Sequence, residues 1–582
     1  MNNKNKSTPG VLRPYLLRYK KLWIAGIFAV AFTNIFMLAA PWILRIAIND
    51  LEKGVTTSRL AIYAGAILLV TLISAAFRFM MRQTMIVASR KVEYDFRNDF
   101  FDHILTLDRK YYDRTPTGDI MARASNDMDS VRAMIGPGIM YFCSTAIALV
   151  LAISIMIKIS LKLTLLALIP MPIITVLVFF LGREVNKRYA KIQKQYSDMT
   201  ARAQESFAGV RVVKAYVRED SEIEDFGSIS MEYVRKNMSM VRVWGFFFPA
   251  IVLFSGVALI VVLWFGGKAV IEGTINLGDF VAFSAYLLLL IWPMAALGWV
   301  VGLYQRGKAS LGRINQILEE KPVVADAAGV VTREIEGKIE FRNLRFGYGR
   351  DIVLNDVSIL IEPGTRVALI GDTGGGKTTL VSLLQRAYPV DRGMVFIDDI
   401  DINDYDLKCL RSQIVPVMQE TFLFSDTIRH NIAYGRPDVE MESIRRFALT
   451  AGIAAEIDEF PKEYETILGE RGITLSGGQK QRTALARALS SNPRILILDD
   501  AFSAVDTRTE EEILTNLRQI LSGRTTITIS HRISTVKDSD VILVLKDGVI
   551  VEKGCHADLV GAGGHYAKLY ERQLLQDELE TL

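Results

Sequence analysis

The sequence predicts two domains of different class: an all-α domain of six membrane-spanning helices, followed by an α/β domain with a largely parallel sheet. Long apolar stretches recur between Leu22 and Leu303. From Gly337 onward, short apolar runs alternate with helical patterns and with turns rich in glycine and aspartate. A glycine-rich segment that ends in Lys377 and Thr378 follows one of these runs. Together these features indicate a membrane domain joined to a soluble domain.

Composition agrees with this division. Of the 582 residues, 50% are apolar, and the mean hydropathy is +0.24, which is high for a soluble protein of this length. The net charge is only +4, and lysine and arginine are spread along the connections between apolar stretches, so no nucleic-acid partner is indicated. Cys143, Cys409 and Cys555 follow no metal-ligand spacing, which predicts neither zinc nor a disulfide framework.

Each apolar stretch can cross a hydrocarbon core that needs about 20 helical residues. The six predicted spans are Leu22–Ile48, Leu60–Met81, Met134–Ile157, Leu163–Leu181, Phe246–Gly266 and Phe280–Leu303. The connections at 82–132 and 182–242 are long and basic, which assigns them and both termini to the cytosol. No cleavage pattern follows the first stretch, so it is expected to remain as a helix. The sequence therefore predicts a multi-pass protein of the cytoplasmic (inner) membrane.

Amphipathic helical patterns continue from the spans into both long connections, which predicts helices that extend into the cytosol. Tyr112–Asp119 and Gly209–Tyr216 fit the tips of these extensions, either as ordinary turns or as docking segments. Arg45 lies inside the first span, where snorkelling is favoured over a place in a substrate path. Candidates for an apolar cavity, with simple packing as the alternative, are Phe246, Phe247, Phe248, Met294 and Trp299.

Changes in composition suggest the boundaries of the parts. An N-terminal segment is expected at 1–21, the membrane domain at 22–320 and a linker at 321–336. The α/β domain is expected at 337–575, followed by a tail at 576–582.

The glycine-rich segment has the spacing of a phosphate-binding loop between a strand at Arg366–Gly371 and a helix that opens at Thr379. Backbone amides of such a loop can curl around phosphate oxygens, Lys377 can neutralise the β and γ phosphates, and the Thr378 hydroxyl can reach Mg²⁺. The predicted ATP-binding positions here are Gly371, Asp372, Thr373, Gly374, Gly375, Gly376, Lys377, Thr378 and Thr379.

Two further strands end in side chains suited to phosphate chemistry. Arg494–Asp499 ends in a carboxylate at the ligand edge of a parallel sheet, where Asp499 suits Mg²⁺. Asp500 follows at the position where a general base or a water-orienting carboxylate would lie. The strand that begins at Thr525 leads to His531, whose imidazole can contact the γ-phosphate or the attacking water.

Leu475-Ser-Gly-Gly-Gln479, between the loop and the Asp499 strand, resembles the signature sequence of ABC ATPases. Tyr348 resembles the family's adenine-stacking aromatic residue, and Gln419 resembles the glutamine that senses Mg²⁺ and the membrane domain. Ser503–Asp506 resembles the loop that crosses the dimer interface, with Ser503 and Asp506 as its polar positions, and Thr466–Gly472 resembles a segment that exporters place against coupling helices. With six spans before the ATPase, nearly the whole chain resembles the bacterial multidrug and lipid exporters of this family.

The resemblance implies that two chains close head to tail around ATP. The signature residues that would complete the partner's ATP site are Leu475, Ser476, Gly477, Gly478 and Gln479. The residues that would hold Mg²⁺ are Thr378, Gln419 and Asp499. The resemblance also favours the two tip segments as coupling helices. ATP binding and hydrolysis would then drive export or flipping of drug-like molecules or lipids by alternating access.

One position departs from the family pattern. Most members carry glutamate after the strand-ending aspartate, whereas this chain has Asp500, which is one methylene shorter. A displacement of about an ångström can cost on the order of a hundredfold in rate, so slow hydrolysis is expected at this site. Because the signature and the phosphate-binding loop are intact, the degenerate half of a heterodimer is favoured over a homodimer. A homodimeric lipid flippase and a non-transport ABC switch also stay open, although the six spans argue against the switch.

Overall fold

The computed structural model describes residues 9–327, 329–349, 351–469 and 472–581. The chain divides into two compact units. The first comprises Met1–Thr106 and Thr115–Glu320, and the second comprises Leu107–Arg114 and Lys321–Leu582. The short segment Leu107–Arg114 therefore packs with the second unit although it comes from the N-terminal half of the sequence.

From Pro9 to Leu318 the chain is almost continuously helical. The helices are α1 Pro9–Arg18, α2 Lys20–Glu52, α3 Thr57–Thr106, α4 Arg109–Arg114, α5 Thr117–Ala122, α6 Met128–Ala133, α7 Ile139–Ile159, α8 Leu161–Leu168, α9 Pro170–Ala208, α10 Val210–Ala215, α11 Glu219–Ile271 and α12 Leu277–Leu318. Two π-helical turns, Arg123–Asp127 and Met134–Gly138, join α5 to α6 and α6 to α7. Of these helices, only α4 lies in the second unit.

Five helical segments among the described residues are long and apolar enough to cross a membrane. These are Lys20–Glu52, Thr57–Thr106, Thr117–Ile159, Glu219–Ile271 and Leu277–Leu318. They contain five of the predicted spans, and the sixth, Leu163–Leu181, falls on α8 and the start of α9. Helices α3, α9 and α11 contain 50, 39 and 53 residues, which confirms that they continue well beyond the about 20 residues needed to cross the bilayer.

The sequence favours snorkelling for Arg45, and the structure adds a carboxylate partner for this side chain that the sequence does not indicate. Arg45 forms an ion pair with Asp279 of α12, and its guanidinium carbon lies 4.4 Å from the centre of the Trp42 ring. One turn further along α2, Asn49 Oδ1 accepts a hydrogen bond of 2.8 Å from the backbone N–H of Gly278. A carboxylate inside the bundle therefore neutralises Arg45 and joins α2 to α12.

The second unit contains two sheets. The strands are β1 Ile339–Tyr348, β2 Asp351–Ile361, β3 Arg366–Ile370, β4 Val395–Ile397, β5 Ile400–Asp401, β6 Ile414–Val417, β7 Ile495–Asp499, β8 Thr525–Ile529, β9 Val541–Lys546 and β10 Val549–Gly554. The smaller sheet is antiparallel, in the order β2-β1-β4-β5. The larger sheet has the order β10-β9-β3-β8-β7-β6, in which five strands are parallel and β10 alone is antiparallel. The predicted, largely parallel α/β domain is confirmed.

Helices cover the larger sheet and carry several of the predicted site residues. They are α13 Lys377–Leu383, α14 Leu407–Gln413, α15 Ile428–Ile432, α16 Met441–Thr450, α17 Ala454–Asp458, α18 Gly477–Ser490, α19 Thr507–Ile520, α20 Ile533–Val536, α21 His556–Gly561 and α22 His565–Thr581. One apolar core lies between the two sheets and includes Phe341, Leu369 and Ile527. A second core joins α18 to β7 through residues such as Leu485 and Leu498.

Candidate functional site

The glycine-rich loop connects the central strand β3 to α13. Gly371 has a φ of +152°, and a Cβ at this position would overlap the backbone oxygen of Leu545. Gly376 has a φ of +96°, and a Cβ there would lie 2.8 Å from Leu354 Cδ2. Both positions therefore require glycine. The loop follows the carboxyl end of a central parallel strand, which is where α/β sheets bind ligands.

Lys377 is held at the centre of this loop. Its Nζ donates hydrogen bonds of 2.8 Å to the backbone oxygens of Gly371 and Asp372, and the residue is only 6% exposed. Burial lowers the pKa of Lys377, although the nearby carboxylates of Asp372, Asp499 and Asp500 oppose the shift. The ammonium group is therefore fixed by the loop backbone and lies close to several negative charges.

Thr378 and Asp499 form the next pair. The Thr378 hydroxyl donates to Asp499 Oδ1 at 3.2 Å, and Asp499, the last residue of β7, is 2% exposed. Burial raises the pKa of Asp499, while the Thr378 hydrogen bond and the Lys377 charge lower it. The structure thus brings a hydroxyl and a carboxylate together next to the lysine of the loop.

Asp500 has a backbone conformation that is uncommon for a non-glycine residue, with a φ of +51°. Its N–H donates to the backbone oxygen of Ile529 at 2.9 Å, which anchors it to the end of β8. Its Oδ2 accepts a hydrogen bond of 3.3 Å from Gln419 Nε2. The carboxylate and the predicted sensing glutamine therefore meet beside Asp499.

The signature segment forms the start of α18. Ser476 and Gln479 form a capping box, in which Ser476 Oγ accepts from the Gln479 N–H at 3.3 Å and Gln479 Oε1 accepts from the Ser476 N–H at 2.9 Å. A Cβ at Gly478 would lie 2.7 Å from the backbone oxygen of Ala504. Among the described residues, no hydrogen bond joins Leu475–Gln479 to the loop at 371–378.

Gln481 connects the signature helix to the predicted interface loop, and sequence reasoning missed this residue. Its Nε2 donates to Ser503 Oγ at 2.8 Å, and its Oε1 accepts from the Ala504 N–H at 3.0 Å. Asp506 caps α19 by accepting from the Thr509 N–H at 2.9 Å, and this hydrogen bond lowers the pKa of Asp506. No motif in the sequence identifies Gln481, because its role depends on a partner 22 residues away.

Tyr348 lies at the end of β1 and is 44% exposed. Its hydroxyl lies 3.2 Å from Thr379 Oγ1, which places the ring at the start of α13. His531 follows β8 with an exposed side chain, and its backbone oxygen accepts a hydrogen bond of 2.6 Å from Gln573. Within the described part of the chain, the His531 ring has no hydrogen-bond partner.

Tyr388 is a second residue that sequence reasoning missed. Its hydroxyl donates to Asp113 Oδ2 of α4 at 2.7 Å, and its ring centre lies 5.2 Å from that of Tyr348. The guanidinium carbon of Arg109 lies 5.8 Å from the centre of the Tyr388 ring. Burial, followed by the Asp113 hydrogen bond, raises the pKa of Tyr388 above its usual range. Part of the predicted first tip thus contacts the ring next to Tyr348, which supports the docking interpretation.

Comparison with known proteins identifies the family. The family model of the ABC transporter transmembrane region matches residues 23–294, and the ABC transporter model matches residues 354–503. The chain belongs to the ABC transporter family.

Three similar proteins each match more than four fifths of this chain, including both of its units. The probable multidrug resistance ABC transporter ATP-binding/permease protein YheI of Bacillus subtilis is 34% identical over 97% of this ABC transporter and 96% of its own length. An ATP-dependent lipid A-core flippase of Aromatoleum aromaticum is 37% identical over 83% and 80% of the two chains. A solved structure of a bacterial Atm1-family ABC exporter with ATP bound superposes with a TM-score of 0.80 at 29% identity, covering 95% of this chain and 99% of that one.

This ABC transporter therefore has the organisation of an exporter half-transporter, with its membrane helices ahead of its ATPase domain. It is a multi-pass membrane protein that binds ATP and couples ATP hydrolysis to export or flipping. ABC exporters function as dimers, so a single chain is half of the working transporter.

Proposed function

We propose that this chain exports or flips hydrophobic or amphipathic compounds across the cytoplasmic membrane as one half of a heterodimer. Its ATP site would bind ATP well and hydrolyse it slowly. The observation that carries this proposal is Asp500, which occupies the general-base position next to an intact loop and an intact signature. The names of similar proteins, which include a multidrug resistance transporter and a lipid A-core flippase, support drug-like or lipid cargo.

In this proposal the loop at 371–379 holds the phosphates of ATP and the Tyr348 ring stacks on adenine. Lys377 neutralises the β and γ phosphates, for which its fixed position suits it. His531 contacts the γ-phosphate from the end of β8. Gly371 and Gly376 fit this role because a Cβ at either position would clash with Leu545 or Leu354, against which the loop packs.

Mg²⁺ fits the pair formed by Thr378 and Asp499. A hydroxyl 3.2 Å from a buried carboxylate is an oxygen donor set of the kind that Mg²⁺ prefers, and Gln419 adds an amide oxygen next to it through its contact with Asp500. Bound there, Mg²⁺ would neutralise charge on the phosphate oxygens. These three side chains orient the phosphates relative to Lys377.

The aspartate at position 500 accounts for the expected slow hydrolysis. Its backbone is fixed by the hydrogen bond to Ile529, so the side chain cannot move forward to replace the missing methylene. Its carboxylate is also engaged by Gln419 at 3.3 Å. We infer that Asp500 orients the attacking water poorly, whereas the signature of this chain serves a faster site on a partner that carries glutamate.

The second tip supports assembly with that partner. None of the side chains of α10 is buried in the single chain. Phe207, Val212 and Tyr216, at or near α10, are 77%, 61% and 77% exposed. Such an apolar surface at a cytosolic helix tip suits docking on an ATPase domain. In this proposal both termini and the ATPase domain, which begins near residue 337, lie in the cytosol.

ATP-driven transport in inside-out vesicles tests the proposed function. The chain would be produced together with a half-transporter that has glutamate at the position of Asp500. The expected result is ATP-dependent movement of an amphipathic dye or a fluorescent phospholipid, which Lys377→Ala abolishes. ATP hydrolysis without movement of either probe would support a non-transport switch instead.

A further inference from the structure

The last helix of the ATPase unit, α22, contacts the segment that carries His531. Gln573 of α22 uses both ends of its side-chain amide there: Nε2 donates to the backbone oxygen of His531 at 2.6 Å, and Oε1 accepts from the Ile533 N–H at 2.8 Å. We propose that Gln573 is a positioning residue for His531, through which it sets how the chain recognises the γ-phosphate of ATP. The inference rests on the proposed contact of His531 with the γ-phosphate and deepens it.

His531 lies at the edge of the sheet where the loop would hold the phosphates. Strand β8 is parallel to β7, and Ile529 of β8 lies opposite Asp499. His531 follows Ile529 by two residues, at the carboxyl ends of these strands. Burial raises the pKa of Asp499, and His531 is one of the groups that oppose this shift, so the ring lies near that carboxylate. The position of the His531 backbone therefore determines where the imidazole meets a phosphate.

Other hydrogen bonds hold the neighbours of His531 rather than His531 itself. Arg532 Nη1 donates to Glu510 Oε2 at 2.8 Å, and the Arg532 N–H donates to Ser530 Oγ at 3.0 Å. Among the described residues, the bond from Gln573 is the only hydrogen bond at His531. Because Gln573 binds backbone groups on both sides of Arg532, it fixes the direction of the chain at the point where the imidazole projects.

The helix that carries Gln573 is itself fixed to the sheet. Tyr566, near the start of α22, is fully buried in an apolar cluster that includes Ile370 of β3. Glu552 of β10 accepts a hydrogen bond of 3.0 Å from the Tyr566 N–H, and a carboxylate at a helix N-terminus is favourable. Gln573 therefore projects from an anchored helix, and its two hydrogen bonds transfer that position to His531.

The same helix also contacts the phosphate-binding loop. His565 Nε2 lies 3.8 Å from Asp372 Oδ2 in that loop. Gln573 is eight residues further along α22, which places it on the same side of the helix and about 12 Å away along its axis. Helix α22 thus extends from the loop to the segment after β8, so Gln573 holds His531 at a set distance from the loop.

Nucleotide binding to the full-length chain in nanodiscs with Mg²⁺ tests this assignment. The probes are the β,γ-imido analogue of ATP, which resists hydrolysis, and ADP, which has no γ-phosphate. Gln573→Met removes both hydrogen bonds from a side chain of similar length, so affinity for the ATP analogue should fall by about fivefold, as expected for the loss of about one hydrogen bond. Affinity for ADP should change by less than about twofold. Equal losses for the two nucleotides would overturn the proposal, because general damage to the site affects both.

Gln413→Met is the matched control. Gln413 of α14 makes the same pair of contacts with a different segment: Nε2 donates to the backbone oxygen of Arg333 at 3.0 Å, and Oε1 accepts from the Ile335 N–H at 2.7 Å. Its loss should leave the ratio of the two nucleotide affinities unchanged. If Gln413→Met changes this ratio as much as Gln573→Met does, the ratio reports general stability, which would contradict the role assigned to Gln573.

His531→Ala separates the positioning role of Gln573 from the proposed role of His531. If Gln573 acts through His531, Gln573→Met should weaken binding of the ATP analogue no further in the His531→Ala chain, whereas a full further loss would contradict the inference. If His531→Ala weakens this binding and Gln573→Met does not, the positioning inference fails while the role of His531 stands. If neither does, the γ-phosphate contact of His531 is wrong and the inference falls with it. No transport is measured, so each outcome is independent of the export proposal.

Discussion

The two units of the molecule place charged side chains differently. In the ATPase unit, Lys377 is fixed by two backbone oxygens and Asp499 by a threonine hydroxyl. In the membrane unit, Arg45 is paired with Asp279, whereas Arg78 and Arg82 have no carboxylate partner among the described residues. ATP is bound and hydrolysed in the same way for every cargo. The groups that contact its phosphates can therefore be held at fixed positions by the backbone and by neighbouring side chains.

The largest effect of a single substitution is expected at Lys377, in the ATPase unit. Lys377→Ala removes the charge that the loop holds for the phosphates, so ATP in this chain's own site no longer helps to close the dimer around the partner's faster site, and turnover of the assembled transporter should fall by on the order of a hundredfold with any cargo. Turnover in nanodiscs checks this expectation. Lys408→Ala, an exposed lysine of the same unit, is the control and should have no effect. Loss of turnover with only one class of cargo would contradict a general phosphate role.

The paired arginine of the membrane unit should affect stability more than recognition. Arg45→Gln leaves the Asp279 carboxylate, which is mostly buried, without its partner and should destabilise the chain by about 2 kcal/mol. Thermal unfolding in detergent measures this change. Adding Asp279→Asn to Arg45→Gln should restore part of the lost stability, because no buried charge is then left unpaired. Additive losses in the double variant would show that the two side chains do not interact.

The contact between Asp113 and Tyr388 should affect coupling. Tyr388→Phe keeps the ring next to Tyr348 but removes a hydrogen bond worth about 1 kcal/mol. Basal ATP turnover should change less than twofold, because the hydrogen bond lies outside the phosphate-binding loop, while stimulation of turnover by cargo should fall by about fivefold, which corresponds to that energy. Tyr405→Phe is a matched control, because it removes a buried tyrosine hydrogen bond of 3.0 Å to Ile397 away from α4. Equal effects of the two variants would contradict a coupling role.

The smallest effect is expected for the ion pair of Arg366 and Asp540, which lies at the amino ends of β3 and β9. A hydrogen bond from Arg366 is the main cause that lowers the pKa of Asp540. Because this pKa is lower in the folded chain, the stabilisation is present above the unfolded pKa of about 4 and is lost as the pH falls through the folded value. The free energy of unfolding of Asp540→Asn should therefore be below that of the wild type at pH 7, and the gap should narrow in acid. A difference in the free energy of unfolding that does not change with pH would contradict this role of Asp540.

Residues of the ATPase unit whose roles are local could be predicted from sequence. The loop is marked in the sequence by glycine spacing within a few positions, and Asp499 is marked by the short apolar strand that it ends. Tyr388 could not be predicted, because its partner Asp113 is 275 residues away.

In the membrane unit, hydropathy predicted the spans but not which side chains face a cavity. Arg78 lies inside the predicted span Leu60–Met81, yet only the placement of the other helices shows that it lines a cavity between α2, α3, α7 and α12. The partner of Arg45 was missed for the same reason. Of the aromatic and methionine candidates whose side chains are described, none lines this cavity; they are Phe246, Phe247, Met294 and Trp299. Phe248 lies outside the described side chains.

ATP turnover with Asp500→Asn tests the central claim most directly, measured for the chain alone and for the chain mixed with a glutamate-bearing half-transporter. The expected result is that only the mixture turns over ATP at a substantial rate and that Asp500→Asn in this chain leaves that rate nearly unchanged. Asp500→Glu is the matched variant and should raise turnover by the chain's own site. If the lone chain hydrolyses ATP rapidly and Asp500→Asn abolishes the activity, Asp500 is a working general base and the transporter is a homodimer.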